Sequence, residues 1–335
     1  MRRLLAAALT ALPLAAQAWG ADGHQTVAVI AAGLLKGTPA EARVAALLGD
    51  MPLPLAAIWA DCAKGISPGQ GYAYPAPGRY PACAPLETPD RIAEMADYVR
   101  RNDRQCALGP EESSCHGQTH YADLALQRSR YLPGFTGTRP DYVVGALRQA
   151  VLVLQGRPTT GQPSLKSPRE ALLVLVHLVG DIHQPLHVAG PYLDARGQRI
   201  DPDQTGLDPA SFTVGGNSFP LPQAAPTGPK NFHAYWDGVP AAFRPPRVDA
   251  AWLAEARRVD VDAGDAVDWP ARWATQSLEQ AALAYEGLLF SPREGQQWNV
   301  RLPRGYDARA DAIKQQQLTR AGARLAWVLK AVFAN

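Results

Sequence analysis

The sequence has no Cys-x-x-Cys pair, no Asn-x-Ser/Thr acceptor site and, past its first residues, no apolar run long enough to span a membrane. Absence of paired Cys-x-x-Cys spacing argues against a four-cysteine zinc site. The formal net charge is only +2, so the strongly basic patch expected of a protein that grips duplex DNA is missing. Alternating apolar and polar strand patterns are scarce, and neither an internal repeat nor a convincing linker is found. What is present is an apolar fraction of 47%, ample for a buried core.

The first residues read as a removable segment. Met1-Arg2-Arg3 is basic, Leu4 to Ala16 is uncharged and Pro-interrupted, and Ala16-Gln17-Ala18 is a small-x-small site. A signal peptide over residues 1–18 is expected, leaving a single domain over 19–335 that starts at Trp19 and is exported to the periplasm or the medium. The four cysteines, Cys62, Cys83, Cys106 and Cys115, fit export as disulfides. Pairing Cys62 with Cys83 and Cys106 with Cys115 closes two local loops, and two other connectivities remain open.

Helical periodicity dominates the rest and predicts an all-α fold. Residues 22–35 place His24, Val27, Ala31 and Leu34 on one face. Thr38-Pro39-Ala40-Glu41 and Ser167-Pro168-Arg169-Glu170 are capping boxes with Pro at the first helical position. Residues 140–155, 269–290 and 308–333 read as further amphipathic helices. Two long loops are expected, at 65–90 and 189–230, both rich in Gly and Pro.

Within this pattern, His177 and Asp181 stand four apart on the helix begun at Ser167, so their side chains share a face. His187 follows after Pro185 ends that helix. His233 and Asp237 repeat the spacing, either as ligands or as a simple helix ion pair. Imidazole with carboxylate favours zinc among the divalent metals. Asp181, at the end of Leu-Val-Leu-Val-His-Leu-Val-Gly-Asp, and Asp61, after Ala-Ala-Ile-Trp-Ala, are costly to bury without a charge partner, which a metal supplies. Cleavage before Trp19 frees an α-amine of pKa ~8 that can chelate an ion together with its carbonyl, with His24 close by. The alternative is that Trp19 merely packs. His116, beside Cys115, reads as a surface residue, and His183 as a neighbour of the ligands rather than one of them.

Six motifs occur in order: Trp19-Gly-x-x-Gly23-His24, Trp59-Ala60-Asp61, His120-Tyr121-Ala122-Asp123, His177-x3-Asp181-x5-His187, Gly215-Gly216-Asn217 and His233-x3-Asp237. Together they resemble the zinc-dependent single-strand nuclease and 3′-nucleotidase family, with the zinc phospholipases C as distant relatives. The resemblance implies a trinuclear zinc cluster at the bottom of a cleft. Asp61, His120, His177 and Asp181 would hold one ion; His187, His233 and Asp237 a second; Trp19, His24 and Asp181 a third. It further implies hydrolysis of single-stranded DNA and RNA by a zinc-activated hydroxide, giving 5′-phosphates, with 3′-mononucleotides also dephosphorylated by what is expected to be a monomer. Lys64 would neutralise transition-state charge, or is a surface lysine. Tyr121 would stack a base while Asp123 and Asn217 bond its edge, or Tyr121 is core and Asn217 a turn residue.

Val188 to Val214 is longer than the compact loop the resemblance implies, and Asp201-Pro202-Asp203 within it is expected to reshape the site or take a further cation. Competing readings are a phospholipase C or other phosphomonoesterase with the same cluster, and a non-catalytic exported zinc-binding module.

Overall fold

In the computed structural model, residues 19–103, 115–159, 161–221 and 228–334 are described. Residues 1–18, and with them the expected signal peptide, lie outside the described residues, as do Cys106 and therefore its expected bond to Cys115. The chain is all-α, as its periodicity predicts. In order come α1 (Ala21–Leu35), α2 (Pro39–Leu48), α3 (Leu53–Ala56), α4 (Trp59–Ala63), α5 (Pro89–Arg101) and α6 (Val143–Leu154). They are followed by α7 (Pro168–His183), α8 (Pro202–Thr205), α9 (Phe232–Asp237), α10 (Ala250–Ala256), α11 (Trp269–Ala284) and α12 (Tyr306–Val332).

Helix starts follow local chemistry. Thr38 accepts from the Glu41 amide at 3.4 Å, and Ser167 accepts from the Glu170 amide at 3.2 Å. In each case the Glu carboxylate reaches back one residue beyond the cap, to the amides of Gly37 and Lys166. Such caps typically contribute ~1 kcal/mol each.

From Glu170 to His183 every residue of α7 is buried, which is why its sequence is apolar all round rather than striped. It lies in the middle, against α6, α11, α12 and α4. α1 packs along α12, and the approach is close: a Cβ on Gly322 would stand 2.5 Å from the Ile30 Cβ. Together these helices bury one large core that includes Trp59, Trp269 and Trp273. Three two-residue strand pairs supplement them. β1 (Leu124–Ala125) runs parallel to β2 (Ala189–Gly190); β3 (Tyr192–Leu193) pairs with β4 (Arg199–Ile200), and β5 (Leu289–Phe290) with β6 (Val300–Arg301). The first pair continues upstream through Ala122 N–H to His187 O at 2.8 Å, which draws the His120 and His187 segments together.

Two expectations need correction. The helix predicted over 269–290 ends at Ala284, because the chain turns through Gly287 at φ +72° into β5. Residues 189–221, expected as loop, carry β2, β3, β4 and α8, elements too short to leave a periodic signal. The acidic pair there is already engaged, since Asp201 and Asp203 both face Arg128, Asp201 caps α8 and Asp203 Oδ1 accepts from the Thr136 amide at 2.7 Å. Arg128 thus offsets part of the charge of this pair.

Candidate metal centre

α7 supplies His177 and Asp181 from one face, and their Nε2 and Oδ2 stand 3.2 Å apart. The short α4 brings in Asp61, whose Oδ1 is 3.6 Å from His177 Nε2 and 3.9 Å from His120 Nδ1. His120 Nδ1 lies 2.9 Å from Asp181 Oδ2 and 3.0 Å from His177 Nε2. On the other side of Asp181, Oδ1 faces His24 Nε2 at 3.3 Å, and the His24 ring stacks on His177 with centroids 3.9 Å apart. Asp181 therefore sits between two constellations. The space for His24 exists because residue 180 is glycine: a Cβ there would be 2.5 Å from His24 Nδ1. Gly23 does the same for Trp19, whose Cβ would be 2.8 Å from an added Cβ.

α9 carries His233 and Asp237, with Nε2 and Oδ2 at 3.5 Å. His187 Nε2 comes within 3.1 Å of His233 Nε2 and 4.0 Å of Asp237 Oδ1. All these side chains are buried. Three groups of ligand atoms thus converge: His24, His177 and Asp181; Asp61, His120 and His177; and His187, His233 and Asp237. The expected ligands fall in these groups, except Trp19, whose contribution would be backbone. Its side chain is fully buried, and the next amide, Gly20 N–H, donates to Asp237 O at 2.8 Å, so Trp19 stands between His24 and α9.

Tautomers test whether the groups fit a metal. Nδ1 of His187 lies 2.9 Å from His120 O, and Nδ1 of His233 lies 2.8 Å from Gly215 O. A carbonyl only accepts, so both histidines carry their proton on Nδ1. Their Nε2 lone pairs then face each other with no hydrogen between them. His177 Nδ1 donates likewise to Ala57 O at 2.7 Å, leaving its Nε2 towards Asp61, His120 and Asp181. Neither His24 nitrogen nor Asp181 Oδ1 makes a hydrogen bond. Ligand atoms ~2.1 Å from a tetrahedral ion stand ~3.4 Å apart, within the range of 2.9 to 4.0 Å seen here. Orphaned lone pairs, buried carboxylates and this spacing fit divalent metal ions.

Electrostatics agree for Asp61, His120 and His233, whereas at His177 the Asp181 and Asp61 charges outweigh burial and raise the pKa. Burial opposes ionisation of Asp61, but Lys64 and the nearby histidines outweigh it and hold the carboxyl at about 2. Burial, aided by Lys64, lowers His120 to about 3; burial, aided by His187, lowers His233 to about 3. Both are neutral, ligand-ready imidazoles. Asp237 is pushed well above the usual carboxylate range by burial, with the Asp61 charge adding to it. Lys64 Nζ is 2.8 Å from Asp61 Oδ1 and is the sole lysine or arginine paired with a carboxylate of these groups among the described residues.

Tyr121 is half-buried, its ring 5.4 Å from Tyr142. Asp123 is buried, with its amide on Gly137 O at 2.9 Å. Asn217 serves its own turn, donating to Val214 O at 2.9 Å and accepting from Asn231 Nδ2 at 3.2 Å. Cys62 and Cys83 form a disulfide directly after Asp61.

His116, read as a surface residue, is instead fully buried against the edge of Tyr98. Burial, with help from Lys64, lowers its pKa to about 3, so the ring is neutral and tolerates the interior. His183 faces away from the groups: its Nδ1 donates to Val179 O, and its Nε2 accepts from Arg324 at 2.9 Å. One participant escaped the sequence reading. Gln184, fully buried, donates to Asp237 Oδ1 at 2.8 Å and accepts from the Leu186 amide at 2.6 Å. Its position between a helix end and Pro185, three residues before His187, was the available signal.

A helical protein whose centre is a buried cluster of histidines and aspartates has the make-up of a metal-dependent hydrolase. The family described as S1/P1 Nuclease matches residues 19–334, nearly the whole chain, starting at Trp19. This chain belongs to the S1/P1 nuclease family, and its activity is that of a nuclease acting on phosphodiester bonds. Among curated proteins none matches it.

Proposed function

We propose that this chain is an exported nuclease that cuts single-stranded DNA and RNA to 5′-phosphate products, dephosphorylates 3′-mononucleotides and uses three zinc ions. The observation that carries the reading is the convergence of three buried ligand groups, two of them sharing His177 and joined through Asp181. Imidazole and carboxylate donors in tight clusters favour zinc. His24, Asp61, His120, His177, Asp181, His187, His233 and Asp237 would hold the ions, with the amine and carbonyl of Trp19 completing the set once residues 1–18 are removed. When bound, zinc supplies Lewis acidity towards a phosphoryl oxygen and acidifies water near neutral pH.

The chain's own groups do the rest. Lys64 brings an ammonium to the Asp61 side of the centre, where it adds to the positive charge available to a phosphate. Tyr121 offers a ring face on which any base can stack, contributing ~1–3 kcal/mol. Asn217, after its two local bonds, retains one amide hydrogen and acceptor capacity for a base edge, and Asp123 would accept from that edge. In a duplex, base faces and pairing edges are covered, which gives single-strand preference a physical basis. Export is supported by the Cys62–Cys83 disulfide. No helix among the described residues is long and apolar enough to cross a membrane.

The test is paired. Protein starting at Trp19 is assayed for zinc per chain and for turnover of single-stranded DNA, RNA, a 3′-mononucleotide and a short-chain phosphatidylcholine. Three zincs with nucleic-acid cleavage support the proposal. Lipid turnover alone would overturn the base-recognition roles, and a chain without zinc would overturn the whole reading.

A further inference from the structure

α12 lies outside every motif that points to the metal centre, yet two of its side chains reach the ends of both helices that carry paired ligands. Lys314 is 3% exposed, and its Nζ donates to Tyr235 O at 2.8 Å and Gly238 O at 2.6 Å. These carbonyls flank Asp237 at the C-terminus of α9. Three residues on, and so on the same face of α12, Gln317 is 1% exposed and donates from Nε2 to His183 O at 2.9 Å. That carbonyl lies at the C-terminus of α7, two residues past Asp181. The same amide touches Ser277 Oγ, which itself donates to Ile182 O at 2.5 Å.

The last carbonyls of a helix have no partner within it and must be satisfied from outside. At α9, a helix of six residues, the outside donor is a buried ammonium, the kind of charge that a helix C-terminus favours. α9 rests on α12 at further points: Trp236 Nε1 donates to Tyr306 OH at 3.0 Å, and Tyr235 OH donates to Asp307 Oδ1 at 2.7 Å. One rigid helix therefore holds the ends of the segments carrying His177, Asp181, His233 and Asp237.

We infer that Lys314 and Gln317 are positioning residues of the metal centre, setting the spacing between the Asp181 and Asp237 ligand groups. The inference rests on the metal-centre reading above. A ligand atom misplaced by a few tenths of an ångström weakens coordination, and loss of an outer partner typically lowers metal affinity ~10–100-fold.

The test uses the full mature chain with Lys314→Met and Gln317→Leu, which keep side-chain bulk while removing the donors. Zinc affinity is measured by chelator competition, the cobalt-substituted absorption spectrum reports ligand geometry, and thermal melting of the metal-free protein reports folding. Expected for Lys314→Met is one zinc site weakened ~10–100-fold with an altered cobalt spectrum at a temperature where the protein is fully folded. Gln317→Leu should disturb the sites that use Asp181. A merely structural role would lower the metal-free melting temperature and leave zinc affinity and cobalt spectrum at wild-type values; that result overturns the inference. Should Lys314→Met fail to fold, Lys314→Arg, which keeps the donated charge, is measured instead, and a lowered melting temperature with an unchanged cobalt spectrum overturns the inference equally. Wild-type protein that binds no zinc would instead overturn the metal-centre reading itself.

Discussion

His187 and His233 point Nε2 at Nε2 across 3.1 Å, with both Nδ1 protons committed to backbone carbonyls. Two lone pairs in that position repel unless a cation lies between them, so the protein without metal is expected to be strained there. Stripping metal with a chelator should lower the melting temperature, and zinc should restore it. Free zinc a thousandfold above Kd would contribute ~4 kcal/mol per site. A melting curve indifferent to chelator would contradict this.

Metal uptake should release protons. Asp237 holds its proton well above the usual carboxylate range because of burial and the Asp61 charge, whereas ligation needs the carboxylate. The sign follows: raising pH favours zinc at the His187, His233 and Asp237 group, and lowering pH empties it. Titrating zinc into weakly buffered metal-free protein should acidify the solution, and more so as the starting pH is lowered. Zinc binding without proton release would show that Asp237 is already ionised.

In the metal-free protein, acid should be destabilising over a definite window. Burial lowers His120 and His233 to about 3, while the unfolded chain protonates near ~6.5. The unfolded state therefore binds more protons between those values, and stability falls as pH drops from ~6.5 towards ~3. Denaturant melts at stepped pH check this, and a flat profile would count against neutral buried imidazoles.

Replacing Asp181 by Asn should cost more than one ion, because its two oxygens face different groups, His24 on one side and His120 with His177 on the other. Zinc per chain should fall by more than one, and activity by more than the ~100-fold seen when an outer partner is lost. Full zinc content in that variant would remove Asp181 from its bridging place.

Gly180→Ala should act on the metal rather than the fold alone. The added methyl meets His24 Nδ1 at 2.5 Å and would push that ring off His177. Overpacking of this kind costs ~1–3 kcal/mol. Gly322→Ala, which meets Ile30 equally closely, is the control: it should lose similar stability and keep its zinc. Equal zinc loss in both would mean that the effect is general.

Local signals were legible without coordinates. Thr38, Ser167 and the prolines that follow them announce helix starts because capping is decided within one turn of chain. The spacings His177 to Asp181 and His233 to Asp237 announce shared faces because an α-helix has a fixed pitch. The apolar run into Asp181 announced a buried carboxylate in need of a cation. Less legible was the stretch after His187: β2 pairs with the distant β1, β3 pairs locally with β4, and no alternation can develop over two residues.

What the sequence by itself determined was therefore the all-α class, the helix starts and the ligand pairs that a single helix holds. The resemblance grouped those pairs, but only the tertiary structure brings them within reach of one another. Asp61 reaches His120 and His177, Gln184 holds Asp237, His116 is buried, and Lys314 and Gln317 close the ends of α9 and α7, each across tens of residues or more. The reason is physical: capping and helical pitch are written in neighbouring residues, whereas these contacts depend on how the helices pack around α7, a property of the whole core.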